Sequence, residues 1–288
     1  MAESHRTRAI FLLVVAAVLW SLAGVLIKWV SLPALSVAGF RSAIALPVLL
    51  IFFGRRALNF SAAQLIGGVC YAATVTLFVS ATKLTTSGNA ILLQYTAPLY
   101  VALLSGWLLH EKIRWFDWTA IAAVLCGMSL FFLDRLSAGG MTGNLLAVCS
   151  GFAFASLIIA MRRQKDASPA GSAIWGNLLT VLFCLPVMIQ SPPDAADWTG
   201  LLLLGVFQIG LSYVCYSTAI RNVTAMEAIL IPVVEPILNP LWVLLWMGEK
   251  MGPWAVLGGV VVVLSVLFRG FMDYRRTAPP FPEKESSR

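Results

Sequence analysis

Apolar residues dominate the chain in ten long stretches, which short polar segments separate. The stretches, numbered here as spans one to ten, are Ala9–Ile27, Pro33–Phe53, Gln64–Thr82, Gly88–Leu109, Phe116–Leu133, Gly143–Met161, Gly171–Ile189, Thr199–Ile220, Thr224–Met247 and Pro253–Phe271. A helix needs ~20 mostly apolar residues to cross the ~30 Å hydrocarbon core of a bilayer. None of the stretches shows the strict alternation of a barrel strand. The pattern therefore predicts an all-α integral membrane protein with ten transmembrane helices.

Two other interpretations of these stretches are weaker. A soluble helical protein would need many polar helices to bury ten apolar ones, yet only 11% of the residues are charged. Soluble domains carry roughly 25%, and the mean hydropathy here is +0.86. The first stretch follows Arg6 and Arg8 as a signal peptide would. It is longer than the 7–15 residues that are typical of a signal h-region, so we interpret it as a helix.

The positive charge of the chain falls mainly on one side of the predicted membrane. The formal net charge is +7, and Lys and Arg concentrate in cytoplasmic loops. If the N-terminus is inside, the outer segments hold only Lys28, Lys83, Arg135 and Lys250. The inner segments then hold Arg6, Arg8, Arg55, Arg56, Lys112, Arg114, Arg162, Arg163, Lys165, Arg221, Arg269, Arg275, Arg276, Lys284 and Arg288. This bias predicts that both termini lie in the cytoplasm, and it leaves no reason to expect a nucleic-acid partner. The expected location of the protein is the bacterial inner membrane.

The chain contains an internal repeat. When residues 81–130 are moved forward by 138 positions, ten of the fifty positions are identical, including Pro98 with Pro236 and Glu111-Lys112 with Glu249-Lys250. We expect one five-helix repeat in residues 1–137, a second in residues 138–272, and a disordered cytoplasmic tail in residues 273–288. Because five is odd, the second repeat enters the membrane from the opposite side. Such inverted-topology repeats are typical of secondary transporters, whose binding site lies near the midplane between the halves.

The repeated segments resemble a known family. ATKLTTSGNAILLQYTAPLYVALLSGWLLHEKI and AILIPVVEPILNPLWVLLWMGEKM are similar to the two copies of the span-four region in the EamA group of the drug/metabolite transporter superfamily. Leu19-Trp20-Ser21 in span one, and Phe40-Arg41 with Ala45 in span two, also resemble that group. The resemblance implies a secondary transporter, often an exporter of amino acids or other metabolites, with a cavity between two five-helix halves. The aromatic and tyrosine content of the spans is similar to that of YddG-type amino-acid exporters.

Two charged residues fall deep in predicted spans, where they are costly and suggest function. Glu235 lies about twelve residues into span nine, or ~17 Å from the surface at 1.5 Å per residue. Arg41 reaches a similar depth in span two. Glu235 is a candidate proton site or ligand for a substrate amine. The alternatives are a structural pair with Arg41, or hydrogen bonds to backbone that prolines have broken. For Arg41 a structural role is favoured.

Prolines interrupt two of the spans. Pro98 in span four, and Pro232, Pro236 and Pro240 in span nine, each remove a backbone donor. They predict either a hinge or broken stretch that lines the site, or a static kink. Further candidate cavity residues, most of them grouped by helical spacing or by the repeat, are Trp20, Tyr71, Thr74, Phe78, Gln94, Trp175, Gln208, Ser212, Tyr216 and Asn239. Aromatic walls with a few polar groups suit a small amphipathic substrate, although interhelical packing can explain each residue alone.

We therefore predict a carrier that works by alternating access, as a monomer and without a cofactor. Its expected substrates are small metabolites, with export of aromatic or apolar amino acids favoured and protons as a candidate driving ion. The chain has no GxxxxGK[ST] loop for ATP. Sugars, nucleotide-linked metabolites and drugs are alternative substrates. A membrane-embedded enzyme is a further alternative, but the chain lacks the usual catalytic motifs. A receptor or scaffold is another alternative, and it would bind a ligand without transporting it.

Overall fold

A computed structural model of the chain describes residues 2–133, 140–238, 242 and 253–277, and its regular elements within them are all helical. The α-helices are Ala2–Trp20, Ala23–Trp29, Ala34–Phe53, Ala62–Leu84, Ser87–Gln94, Ala97–Leu108, Trp115–Leu133, Met141–Arg163, Pro169–Gln190, Ala195–Leu202, Ser212–Ala219, Ala225–Leu230 and Pro253–Thr277. Arg55–Ala57 and Ile231–Val234 are 3₁₀-helices, and Leu203–Leu211 is a π-helix. The predicted all-α fold is confirmed.

Eight helical segments among the described residues are long and apolar enough to cross a membrane. They are Ser4–Trp29, Ala34–Phe53, Ala62–Leu84, Ser87–Leu108, Met141–Arg163, Pro169–Gln190, Ala195–Ala219 and Val256–Asp273. The shorter apolar helix Trp115–Leu130 corresponds to span five. In span nine, residues 239–241 and 243–247 lie outside the described residues.

Large apolar side chains cover the outside of this bundle. Phe11 is 65% exposed, Ile51 81% and Trp107 75%. In water such a surface would be costly, since each exposed Å² of apolar area is worth about 25 cal/mol. The helices and their apolar outer surface together show a multi-pass membrane protein.

Three of the predicted spans are broken rather than continuous. Span one is interrupted at Ser21–Leu22, span four at Tyr95–Thr96, and span nine changes to a 3₁₀-helix over Ile231–Val234. Proline explains the last two breaks, because Pro98 and Pro236 cannot donate the backbone hydrogen bond of a helix interior. In span one no proline is present, and the Ser21 hydroxyl donates to the Val18 carbonyl oxygen at 2.6 Å.

The final helix is longer than predicted. It continues to Thr277, so residues 273–277 are helical although we expected the disordered tail to begin at residue 273. Asp273 explains part of this extension, because its carboxylate pairs with Arg114 at 2.8 Å and also with Arg6. Residues 278–288, where most of the expected tail falls, lie outside the described residues.

Ion pairs hold the end of the bundle at which the chain begins. All six ion pairs between described residues lie there, and we call it the ion-pair end. Its members are Arg6, Glu111, Arg114, Asp117, Arg162, Glu227, Arg269 and Asp273. Arg269 contacts Asp117 at 3.0 Å and Glu227 at 3.7 Å, and Glu227 also pairs with Arg6 at 2.5 Å. These contacts join spans one, five, nine and ten.

Hydrogen bonds to backbone predominate at the opposite end, and the described residues there form no ion pair within 4.0 Å. Lys28 donates to the Thr85 carbonyl oxygen at 2.9 Å, and Lys83 donates to the Val30 carbonyl oxygen at 2.5 Å. Asp197 accepts from the backbone N–H and the hydroxyl of Ser31, at 2.8 and 2.9 Å. These bonds join the ends of spans one, three and eight.

Candidate substrate cavity

A partly open cavity lies between residues of the two predicted halves, and its empty space of about 390 Å³ includes solvent at the mouth. The first half contributes Trp20, Arg41, Thr74, Val75, Phe78 and Gln94, and the second contributes Phe154, Gln208, Ile209, Tyr213 and Glu235. Small-molecule sites combine apolar walls with a few polar groups. This cavity has that combination.

Glu235 is buried at the cavity and is held by a tyrosine from the other half. Glu235 is 6% exposed, and the Tyr95 hydroxyl lies 2.8 Å from its Oε2. The same hydroxyl lies 2.8 Å from the Pro232 carbonyl oxygen. A tyrosine hydroxyl carries a single hydrogen. Both contacts become full hydrogen bonds when Glu235 is protonated, because Glu235 can then donate to Tyr95 while Tyr95 donates to Pro232.

The prolines of span nine explain why tyrosines surround it. Pro236 has no N–H to donate to the Pro232 carbonyl, and Pro232 has none to donate to the Ala228 carbonyl. The Pro232 carbonyl instead accepts from the Glu235 backbone N–H, three residues further on, and the Tyr95 hydroxyl donates to the same oxygen. At the Ala228 carbonyl the Tyr216 hydroxyl donates, at 3.2 Å. A buried carbonyl without a partner would be destabilising by roughly 1–3 kcal/mol. The breaks in spans four and nine therefore meet, joined by the Tyr95 side chain.

Pro98 has the same effect on span four, where it leaves the Gln94 carbonyl without its helical donor. The backbone of Gly151 in span six packs against this carbonyl. A Cβ at position 151 would come within 2.6 Å of the Gln94 oxygen, so only glycine allows the approach. The Gln94 side chain donates to the Ser150 hydroxyl at 2.7 Å, which donates to the Thr74 carbonyl oxygen at 3.0 Å. Spans three, four and six are thus linked beside the cavity.

Arg41 lies at the cavity wall with neutral partners only. It is 1% exposed, and it donates to Gln208 Oε1 at 3.0 Å and to the Val75 carbonyl oxygen at 3.5 Å. Its Nε has no hydrogen-bond partner. Gly205 lets the π-helix that carries Gln208 approach span two, since a Cβ at position 205 would come within 2.9 Å of the Arg41 carbonyl oxygen.

Aromatic rings form one wall of the cavity. The Trp20 ring lies 5.8 Å from Phe154, 5.4 Å from Tyr213 and 5.0 Å from Tyr216, measured between centroids. Tyr213 also packs on Tyr71 at 4.8 Å. Such ring pairs prefer tilted and edge-to-face geometry, which fixes their positions. The wall therefore offers a rigid apolar surface beside the charged groups.

The structure brings seven of the predicted residues together around the cavity. They are Trp20, Arg41, Thr74, Phe78, Gln94, Gln208 and Glu235. The alternative in which Arg41 and Glu235 form a pair is not borne out, because no ion pair within 4.0 Å joins these two described residues. Pro98, Pro232 and Pro236 lie in or beside helix breaks. Their role as a hinge stays a prediction. Asn239 and Pro240 lie outside the described residues.

Four predicted cavity residues do not line the cavity. The Trp175 indole donates to the Asn59 carbonyl oxygen at 3.1 Å and packs on exposed Phe60. Tyr71 accepts from Asn177 at 2.9 Å. Tyr216 completes the backbone of span nine, as described above. The Ser212 hydroxyl donates to the Gln208 carbonyl oxygen of its own helix at 2.5 Å.

The π-helix explains why Tyr213 rather than Ser212 faces the cavity. We expected α-helical spacing from Gln208, which selects the residue four positions later. Over Leu203–Leu211 the backbone bonds instead from i to i+5. The wider turn brings Tyr213 to the cavity side. Sequence reasoning also missed Tyr95, although its position three residues before Pro98 was a usable signal.

Comparison with known proteins identifies the architecture. A model described as the EamA-like transporter family matches residues 7–133 and again residues 141–270. The chain belongs to the EamA-like transporter family. Members of this family are transporters rather than enzymes. The two matches confirm the predicted arrangement of ten helices in two inverted repeats, and the predicted membership of the EamA group. The narrower likeness to YddG-type exporters stays a prediction.

Individual relatives are distant. The chain is 27% identical to the threonine/homoserine exporter RhtA of Escherichia coli (strain K12), over 80% of both chains. It is 23% identical to a probable terminal-alkyne amino-acid exporter of Streptantibioticus cattleyicolor, over 67% of both chains. It is 28% identical to the uncharacterized protein PA1977 of Pseudomonas aeruginosa, over 62% of this chain, and spans 65% of that relative's length.

A solved structure has the same fold. It is the crystal structure of another protein, and the match covers 94% of this chain and 99% of that chain with a TM-score of 0.78. The two sequences are 17% identical, so the likeness concerns the fold alone. Together with the family match, it places the cavity in a membrane-transporter fold.

Proposed function

We propose that this protein exports small metabolites by alternating access, with amino acids, and among them aromatic or apolar ones, as the favoured substrates. The observation that carries the proposal is the cavity between the two halves, which combines buried Glu235, an aromatic wall and two broken helices. In secondary transporters, substrate sites lie at the repeat interface and are typically formed by discontinuous helices. The carrier then moves its substrate by rocking one repeat against the other.

The cavity chemistry supports an amphipathic substrate with an amino group. The Glu235 carboxylate can accept hydrogen bonds from an ammonium group, while Trp20, Phe78 and Phe154 offer apolar contact to a side chain. Two relatives are named as amino-acid exporters, one for threonine and homoserine and one for terminal-alkyne amino acids. These names support the substrate class and leave the side-chain preference to experiment.

Proton coupling through Glu235 would supply the driving force. The two 2.8 Å contacts of Tyr95 are both satisfied in the protonated state. When a substrate amine approaches, the carboxyl can release its proton and the ammonium can take its place. We propose that this exchange couples substrate binding to proton movement. The chain would work as a monomer, because both halves of the site come from one polypeptide.

The proposed orientation places both termini in the cytoplasm of a bacterial cell, in the inner membrane. The positive-inside rule supports it. In that orientation the ion-pair end faces the cytoplasm, and Lys28 and Lys83 lie at the outer end. Accessibility of single introduced cysteines to a membrane-impermeant reagent tests this orientation directly.

Counterflow in proteoliposomes tests the proposed function. Vesicles loaded with one unlabelled compound are given the labelled form outside, over a panel of amino acids, sugars, nucleotide-linked metabolites and drugs. We expect saturable accumulation of amino acids that depends on pH. Accumulation of another class instead would overturn the substrate assignment, and binding without counterflow would indicate a receptor.

Glu235→Gln in the same vesicles tests the proton site. We expect the rate of counterflow to fall at least about tenfold and its pH dependence to disappear, as for loss of a group that exchanges protons. Asp166→Asn is the matched control, since Asp166 is exposed and is not among the residues that line the cavity. Unchanged counterflow with unchanged pH dependence in Glu235→Gln would remove Glu235 from the mechanism.

A further inference from the structure

We propose that Arg41 is the carboxylate-binding residue of the cavity, so that the substrate must be a small organic acid. The proposal rests on the proposed function and deepens it. In this view the substrate carboxylate replaces Gln208 on the guanidinium, while the substrate amine faces Glu235. The cavity then recognises an α-amino acid by both of its charges, and the predicted structural role of Arg41 is replaced by a binding role.

The hydrogen bonding of Arg41 is incomplete for a structural residue. A guanidinium has five N–H donors and is always charged. Here it is 1% exposed, its two bonds end on the uncharged oxygens of Gln208 and Val75, and Nε has no partner. Within the part of the chain that the structure describes, no carboxylate lies within 4.0 Å of it. Burying an unpaired charge is strongly unfavourable, so charges inside membrane proteins usually pair or serve a site.

Arg41 also has access to a ligand. It lines the cavity beside Gln208, whose amide oxygen it contacts at 3.0 Å. A carboxylate accepts two parallel hydrogen bonds from a guanidinium, and these are stronger than the bond to an amide oxygen. When an acid binds, Arg41 therefore exchanges its neutral hydrogen bond to Gln208 for a stronger, charge-assisted interaction with the carboxylate of the acid.

The cavity keeps its two charged residues on separate halves. Arg41 comes from span two in the first half, and Glu235 comes from span nine in the second half. The Tyr95 hydroxyl contacts the Glu235 carboxyl group. A substrate that carries a carboxylate and an ammonium group would join the halves through these two residues. Binding is then coupled to the repeat interface, which must move in alternating access.

The test compares ligands that differ only in the carboxylate. Phenylalanine and phenylalaninamide, and 3-phenylpropionate and 3-phenylpropionamide, are titrated into the full-length protein in nanodiscs by calorimetry. We expect the wild type to bind each acid about tenfold to a hundredfold more tightly than its amide, as for loss of a charge-assisted hydrogen bond. Arg41→Gln should bring both ratios close to one. Arg163→Gln, at an exposed position, should keep the wild-type ratios.

Gln208→Glu gives a second and independent test. This change offers Arg41 a resident carboxylate, which competes with the ligand for the guanidinium. We expect it to weaken binding of the acids about tenfold or more and to leave the amides unaffected. Because it adds an ion pair instead of removing a buried charge, it remains informative if Arg41→Gln does not fold.

The outcomes separate this proposal from the proposed function. Equal binding of acid and amide by the wild type, or an acid preference that survives in Arg41→Gln or Gln208→Glu, overturns the role of Arg41. If acid preference depends on Arg41 but no amino acid shows counterflow, Arg41 is a carboxylate site and the transported acid is of another kind. If amino acids show counterflow with the same acid preference in Arg41→Gln, export stands and the carboxylate site falls.

Discussion

At the ion-pair end of the bundle, buried or half-buried charges join four spans, whereas the opposite end relies on hydrogen bonds from lysines and serine. Arg269 and Glu227 are 6% and 3% exposed, and each contacts a charged partner on another span. Lys28 and Lys83 at the other end donate to carbonyl oxygens only. The same transporter therefore closes its two ends with different chemistry.

The difference bears on alternating access, because each end must separate in turn. Removing one partner from a buried ion pair typically costs 3–5 kcal/mol, since the other charge is left uncompensated. A lysine bonded to a carbonyl near the surface can exchange that bond for one to water, at a loss of about 1 kcal/mol or less. We therefore expect the ion-pair end to be the harder one to open, and the state that is closed there to be favoured.

Arg269→Gln should produce the largest effect. It leaves Asp117 and Glu227 with fewer positive partners in a buried setting, so we expect a loss of about 3 kcal/mol in stability. Thermal unfolding of the purified protein should show a midpoint lower by about 5–10 °C. Arg8→Gln is the matched control, because Arg8 is exposed at the same end.

The same variant should also shift the facing of the cavity. With the ion-pair end weakened, a single cysteine at Thr74 should react several-fold faster with an impermeant reagent added from that end. The background for this measurement lacks the five native cysteines. A midpoint and a labelling rate equal to those of Arg8→Gln would show that the network is not what holds this end closed.

Asp197→Asn should have a smaller effect, at the opposite end. The change keeps an oxygen acceptor for Ser31 and removes only the charge of a carboxylate that accepts at 2.8 and 2.9 Å. We expect a loss of about 1 kcal/mol, measured as a shift of the thermal midpoint. Asp194→Asn is the control, since Asp194 caps only its own helix. A loss as large as that of Arg269→Gln would contradict the contrast between the ends.

Lys83→Met should be nearly neutral. It removes one hydrogen bond to Val30 and the attraction of Lys83 to Asp197, but it also relieves repulsion between Lys83 and Lys28. These losses and this gain oppose each other, so we expect a change within about 0.5 kcal/mol. Thermal unfolding at low and high salt checks this, because the repulsion is screened by salt. Strong destabilisation at both salt concentrations would mean that Lys83 holds the opposite end by itself.

Much of the fold could be predicted from the sequence, because a bilayer restricts what a backbone can do. Long apolar stretches in hydrocarbon must be helices, and an odd number of helices in each repeat inverts the second one. Pro98, Pro232 and Pro236 indicated where helices would break, since a missing N–H is a property of the residue itself. Span one gave no such sign, as its break at Ser21 depends on a side chain turning back onto the Val18 carbonyl.

The site was harder to predict, because it depends on which residues meet across elements. Trp20, Gln94, Gln208 and Glu235 line the cavity as expected, since polar and aromatic residues deep in a span usually face the protein interior. Trp175 is also an aromatic residue within a span, but its indole donates a hydrogen bond to the Asn59 carbonyl oxygen of a neighbouring loop and does not line the cavity. Ser212 was selected by α-helical spacing, which the π-helix replaced.

The sequence by itself determined the membrane setting, the helical class, the repeat and the presence of a carboxyl group deep in span nine. These follow from hydropathy, proline chemistry and periodicity, all of which are local along the chain. Only the tertiary structure decided that Tyr95 would hold Glu235, that Tyr216 would serve the backbone instead of the substrate, and that Arg41 would face the cavity with neutral partners. Partners of a buried polar group come from distant segments, and their distances arise only when the two halves pack together.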